Sequence, residues 1–172
     1  MEMLREHICR SLQFNLNYAL ELIRDIPEGE LLKSAGPGLE NHAIFTLGHL
    51  LTALGLTIKY LGHPYDVPDE WDELFRRKGP GDPRLPERDV QRYPELSALV
   101  RSLKEKTHLL SSLINELSEE ELKKEVTWRY AERYPYLYDL LAFMCIEHYA
   151  MHLGQLAGWR RAKGYDSALQ KL

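Results

Sequence analysis

The sequence predicts an all-α protein, a four-helix bundle with a long connection between its second and third helices. Apolar residues step by three and four along four separate stretches, a spacing that only a helix gathers onto one face. Between the stretches stand breakers: Ile26-Pro27-Glu28-Gly29, Gly36-Pro37-Gly38, His63-Pro64, and six of the nine prolines between residues 63 and 94. At 172 residues, 44% hydrophobic and 28% charged, the chain is long enough for one domain, residues 1–172, to bury a core.

The first helix carries Leu4, Ile8, Leu12, Leu16, Ala19 and Ile23 and ends before Pro27. The second begins after Asn41, an acceptable N-cap, and ends at His63-Pro64. Its stripe of Leu47, Leu51, Leu54, Ile58 and Leu61 is opposed by Phe45, His49, Ala53, Leu56 and Tyr60. A helix apolar on two sides is buried on two sides, so one face is expected in the core and the other against a partner, such as a second subunit. The connection then runs through Pro64, Pro68, Pro80, Pro83, Pro86 and Pro94, with Trp71, Leu74 and Phe75 expected as one helical turn on the surface. Its length suits two parallel neighbours, because a chain leaving one ~20-residue helix must return ~30 Å to begin the next. The third helix, about 95–117, holds Leu96, Leu99, Leu103, Thr107, Leu110, Ile114 and Leu117, and Ser118 to Glu121 reads as a capping box. Residues 123–136 show no helical stripe. The last helix runs from about Tyr136 to Lys163, ended by Gly164.

Composition excludes several function classes. With 22 Lys+Arg against 26 Asp+Glu, a net charge of −4, no positive field is available for a phosphate backbone, so no nucleic-acid partner is expected. Apolar runs such as Leu137 to Ile146 are interrupted and fall short of the ~20 residues of a membrane span. The N-terminus, MEMLREHICR, carries charges where a signal peptide is apolar, and two cysteines, Cys9 and Cys145, make no disulfide framework; both point to a cytoplasmic protein.

The chemistry concentrates in IEHYAMHLGQLAGWRRAKG, where His148 and His152, four residues apart on one helix face, suit two ligands of one metal. The best third histidine is His49, set among Phe45 and Leu56 on an apolar face of another helix. His7 lies in a first turn, His42 beside a cap, His63 in a loop and His108 beside the third stripe. With the second and last helices antiparallel, His49 and His152 fall at depths of ~12 and ~16 Å from the shared end, close enough to meet. The site would then open toward residues 27–40. Cys145, one turn before His148, reads as a small core residue rather than a fourth ligand. Gln155 could bond a ligand, Arg160 and Arg161 fit the helix C-terminus better than a carboxylate clamp, and Glu147 points away. Arg76-Arg77-Lys78 reads as a solvated loop, and Tyr134, Tyr136 and Tyr138 as packing residues.

NHAIFTLGHLL and IEHYAMHLGQLAGWRRAKG resemble the two signature segments of the DinB/YfiT-like superfamily of metal-binding four-helix bundles. The resemblance implies an up-down-down-up topology, which agrees with the long second connection. It also implies one divalent metal (Zn, Ni, Fe or Mn) on His49, His148 and His152. Three neutral imidazoles leave coordination positions open, as catalytic sites do. The resemblance favours an enzyme that activates a low-molecular-weight thiol, either for S-transfer to an electrophile or for isomerisation. The alternative is a non-catalytic, stress-related metal-binding interaction protein. A metal-assisted hydrolase would need a carboxylate base, which neither segment supplies. A homodimer is expected, with the second helix at the interface.

Overall fold

The protein is described by a computed structural model covering residues 1–79 and 81–172, and it is all-α. Among the described residues the β geometry is confined to an isolated bridge between Glu125 and Tyr136. Pro80 lies outside the described residues. Helix α1, Glu2–Ile23, buries Ile8, Leu12, Leu16, Ala19 and Ile23 of its expected stripe, and Asn15 with them. A single turn, α2, Glu28–Leu31, follows.

Helix α3, Ala43–Tyr60, is capped by His42 and not by Asn41: His42 Nδ1 accepts the Phe45 N–H at 3.1 Å. A neutral imidazole supplies the acceptor an asparagine would have offered, and its ring can also be buried edge-on against Tyr93, 5.0 Å away. Burial pushes the His42 pKa down to about 4, which keeps the ring in its accepting form.

Both faces of α3 are buried, as expected, but the second face is covered within the chain itself. The connection covers it. Helix α4, Asp69–Phe75, is not a surface turn, because Phe75 is fully buried and Leu74 nearly so. Gly48 makes this approach possible: a Cβ there would lie 2.3 Å from the Phe75 ring. About two turns along, a Cβ on Gly55 would lie 2.8 Å from Tyr65 and Val67. The dimer expectation therefore loses the exposed α3 face on which it rested. The expectation about apolar runs also needs correction. Among the described residues α3 alone is long and apolar enough, at 18 residues, to cross a membrane, yet most of it is buried inside the protein.

Helix α5, Leu96–Glu116, buries Leu99, Leu103, Thr107, Leu110 and Ile114, and α6, Glu119–Leu122, starts with the expected Ser118–Glu121 capping box. The final helical stretch is interrupted. It begins as α7, Leu137–Ala142, widens into a π-helical turn at Phe143–Glu147, and continues as α8, His148–Ala162, with Gly164 at φ +84° closing it. A π turn leaves backbone groups out of the regular ladder. Buried Asn15 compensates, its Nδ2 donating to the Cys145 carbonyl at 3.0 Å.

Helices α1 and α3 each lie against both α5 and α8, and their buried apolar residues form a contiguous cluster. Arg5 near the start of α1 donates to the Leu117 carbonyl past the end of α5, Leu96 N–H donates to Glu28, and Arg160 near the end of α8 donates to the Leu22 carbonyl.

Gly48→Ala is expected to destabilise the protein by about 1–2 kcal/mol net, the crowding of a core ring outweighing the ~1 kcal/mol alanine ordinarily gains over glycine in a helix. Chemical denaturation checks this, and a more stable variant would show that Phe75 can give way.

Candidate metal centre

Helix α3 and the π-interrupted last helix bring His49, His148 and His152 together. One ring nitrogen from each lies within 4.8 Å of the others. The ring centroids are 5.4 Å apart for His49 and His148, 4.6 Å for His49 and His152, and 4.5 Å for His148 and His152.

Two of the rings are oriented from behind. His49 Nδ1 donates to the Phe75 carbonyl at 3.0 Å, and because a carbonyl only accepts, the proton sits on Nδ1 and the Nε2 lone pair is bare. His152 Nδ1 faces Gln155 Oε1 at 3.2 Å, one helical turn on, with the same consequence. Backing a ligand imidazole through its distal N–H fixes both tautomer and aim. His148 Nδ1 is buried without a hydrogen-bond partner. Phe45 stacks on His49 with 6.0 Å between centroids, and Phe143 lies 6.5 Å from His148.

All three imidazoles are held neutral. Burial lowers His49, pushes His152 down to about 4, and, with repulsion from the other two rings, pushes His148 down to about 3. A half-buried trio of neutral nitrogen donors with an orphaned nitrogen among them fits a divalent cation of borderline softness.

The remaining expected residues sort clearly. His7, His63 and His108 are exposed and apart from the cluster, and His42 is the α3 cap. Cys145 is fully buried outside the group, its thiol pKa pushed up by burial. Glu147 and Arg161 are exposed. Arg160 is no mouth clamp: it is buried, bonded to the Leu22 and Asp166 carbonyls, and paired with both Asp25 oxygens at 2.6 and 2.8 Å. Asp25, facing Arg160 and Lys171, is held well below the usual carboxylate range. Tyr134 packs near Trp128 and Phe143, while Tyr136 and Tyr138 stack on each other.

The surroundings differ from expectation in two ways. Residues 27–40 meet α8 more than a turn beyond His152, where Trp159 donates to the Lys33 carbonyl and Leu39 approaches Gly158. The cluster's own borders are Phe75 to Arg77 and Phe143. Arg77 also leaves the solvated loop, its guanidinium lying 4.0 Å over the Phe45 ring. Sequence reading missed Phe75, Arg77 and Asn15. Only Asn15, a lone amide on an apolar helix stripe, carried a readable signal.

A family model described as the DinB superfamily matches residues 11–156. No curated protein and no solved structure matches the chain.

His152→Ala should remove bound metal while the helical circular dichroism stays, because the bundle buries its apolar stripes without an ion. His42→Ala should keep the metal and lose about 1 kcal/mol of stability with the cap. Elemental analysis and denaturation separate the two, and a metal-depleted His42→Ala protein would name a different ligand set.

Proton competition should start late. An ordinary imidazole protonates near pH ~6.5, so metal affinity at an exposed trio falls from there; with His152 at about 4 and His148 at about 3, affinity here should change little between pH ~7.5 and ~5.5. The metal-free protein pays in stability instead. Its unfolded state takes up protons below pH ~6.5 that the folded state refuses, so stability falls as pH drops through that window. Metal titrations and denaturation at stepped pH read both. A steep loss of affinity beginning at pH ~6.5 would contradict the burial argument.

Proposed function

The chain belongs to the DinB superfamily, and from that premise we propose that it is a divalent-metal-dependent enzyme, a thiol-dependent S-transferase or isomerase working at His49, His148 and His152. The observation that carries this reading is the convergence of three neutral imidazole donors within 4.8 Å, with no carboxylate or thiol joining the group among the described residues. Zinc, nickel, iron or manganese would suit the donors. When bound, such an ion supplies charge that lowers a thiol pKa from its ordinary ~8.5 and leaves positions free for a small molecule.

The chain's residues supply the rest. Phe75 and Gln155 aim two of the rings, and the surrounding apolar side chains keep the imidazoles unprotonated at neutral pH. Phe143 flanks the cluster on the His148 side with aromatic surface that suits an apolar electrophile. In S-transfer the thiol proton passes to solvent, the new carbon–sulfur bond forms, and the electrophile's leaving group departs with its electron pair.

We read the architecture as one domain, an up-down-down-up four-helix bundle of α1, α3, α5 and α8. The support is pairwise: Arg5 with Leu117 makes α1 and α5 antiparallel, Asn15 with Cys145 and Leu22 with Arg160 make α1 and the last helix parallel, and the connection has the length a parallel α3–α5 pair requires. A cytoplasmic location suits a free low-molecular-weight thiol. A homodimer would now have to use a surface other than the second face of α3.

A non-catalytic, stress-related metal-binding protein is the second reading, favoured by one observation. Two cavities, one lined by Ile44, Tyr93 and Glu95 and the other by Ile23, Ile26 and Val100, have none of the three histidines in their walls.

Cobalt-loaded protein decides between them. Adding a small thiol should produce a near-ultraviolet sulfur-to-cobalt charge-transfer band, and His148→Ala should abolish both the band and S-transfer. Thiols that leave the cobalt spectrum untouched would end the transferase reading and leave the second one standing.

A further inference from the structure

Arg77 is the group at the site that neither the fold nor the metal reading uses. Its guanidinium carbon sits 4.0 Å over the Phe45 ring, which also stacks on His49 at 6.0 Å with an interplanar angle of 9°. Arg77 Nη2 is buried and has no hydrogen-bond partner. Among the described residues no carboxylate lies within ion-pairing distance of it.

The neighbouring cations in the same loop are engaged: Arg76 with Asp72 at 3.1 Å, and Arg84 with Asp82 at 2.6 Å. The loop is also pinned, since Lys78 N–H donates to Asp82 and Arg129 donates to the Lys78 carbonyl at 3.2 Å. Arg77 is therefore held in place, half-buried, with a desolvated donor left over. A stacked cation satisfies the ring beneath it, but the in-plane N–H groups of a guanidinium still call for an oxyanion.

We propose that Arg77 binds the carboxylate of the thiol that reacts at the three-histidine site, so that the thiol is an acidic one. This rests on the reading of that site as a metal centre that takes thiols. The two flanks divide the reactants. Arg77 and Phe45 border His49 and offer a cation, whereas Phe143 borders His148 and is backed by Trp128, Tyr130 and Tyr134, an aromatic surface for the electrophile. One free guanidinium matches a single negative charge, and a carboxylate carries one at neutral pH. The sulfur and the carboxylate must be separated by a chain long enough to reach from the histidines past the edge of Phe45.

The test is a binding titration on the cobalt-loaded protein, read by the charge-transfer band, with 3-mercaptopropionate and 6-mercaptohexanoate each compared with its methyl ester. The acid should bind about tenfold or more tightly than its ester, the worth of one charge-assisted hydrogen bond, with 6-mercaptohexanoate showing the larger ratio. Arg77→Met should bring acid and ester to parity with cobalt still bound, and Arg77→Lys should restore part of the ratio. The wild-type ratio alone is informative if a variant fails to fold. Bands of equal affinity for acid and ester in the wild-type protein would overturn the role of Arg77 and leave the thiol reading intact. No band with any of the four thiols would overturn the thiol reading and this inference with it.

Discussion

The contact between Gly48 and Phe75 is the constraint on which the site depends. A hydrogen in place of a side chain at residue 48 lets an aromatic ring lie directly on the α3 backbone. The same residue that fills this space turns its carbonyl to His49 Nδ1. One close approach thus anchors the long connection, seals the second face of α3 and sets the tautomer of a ligand histidine. Arg77, two residues beyond Phe75, is delivered beside the cluster by the same anchoring. The connection is long because it must cross the bundle, and that length is used to build half of the site's surroundings.

The second requirement is met on the opposite wall. A regular α-helix through residues 143–147 would satisfy its own carbonyls, whereas the π turn there needs outside help and receives it from Asn15. Helix α1 contributes no histidine to the cluster, yet it holds the turn from which His148 emerges. Arg160 works similarly farther along, tying the end of α8 to Leu22 and Asp25 of the segment that closes α1. Two buried polar contacts therefore fix the ligand helix against α1 at both ends of the segment that carries His148 and His152. Each satisfies groups that burial would otherwise leave unpaired.

Much of this was legible in the sequence, for identifiable reasons. Periodicity located the four long helices to within a few residues, because each buries a stripe against the others. The spacing of His148 and His152 placed two rings on one face, and the apolar setting of His49 singled it out from the other histidines. What the sequence hid was contact made by the connection. Prolines and charges between residues 63 and 94 mask the short apolar set Val67, Leu74 and Phe75, which has too few members to show a period. The cap passed from Asn41 to His42 because both can accept a hydrogen bond, and only the aromatic neighbours Phe45 and Tyr93 decide between them. The π turn has no sequence signature, and the pairing of Arg160 with Asp25 spans 135 residues.

The electrostatics of the cluster lead one step further. Its nitrogen donors are neutral, no carboxylate joins them among the described residues, and the charge felt at His49 is the positive one of Arg77. On the proposed reading, a divalent ion and a guanidinium would stand near one another as like charges. A carboxylate ligand or a second ring of acidic residues would have relieved that repulsion permanently and closed the site to anions. Leaving it unrelieved would make the site selective, since a small molecule that brings negative charge to both centres would bind better than one that brings it to neither. An acidic thiol, ionised at sulfur and at carboxylate, would answer that unbalanced field at two points, and the same field would disfavour a thiol that answers it at one.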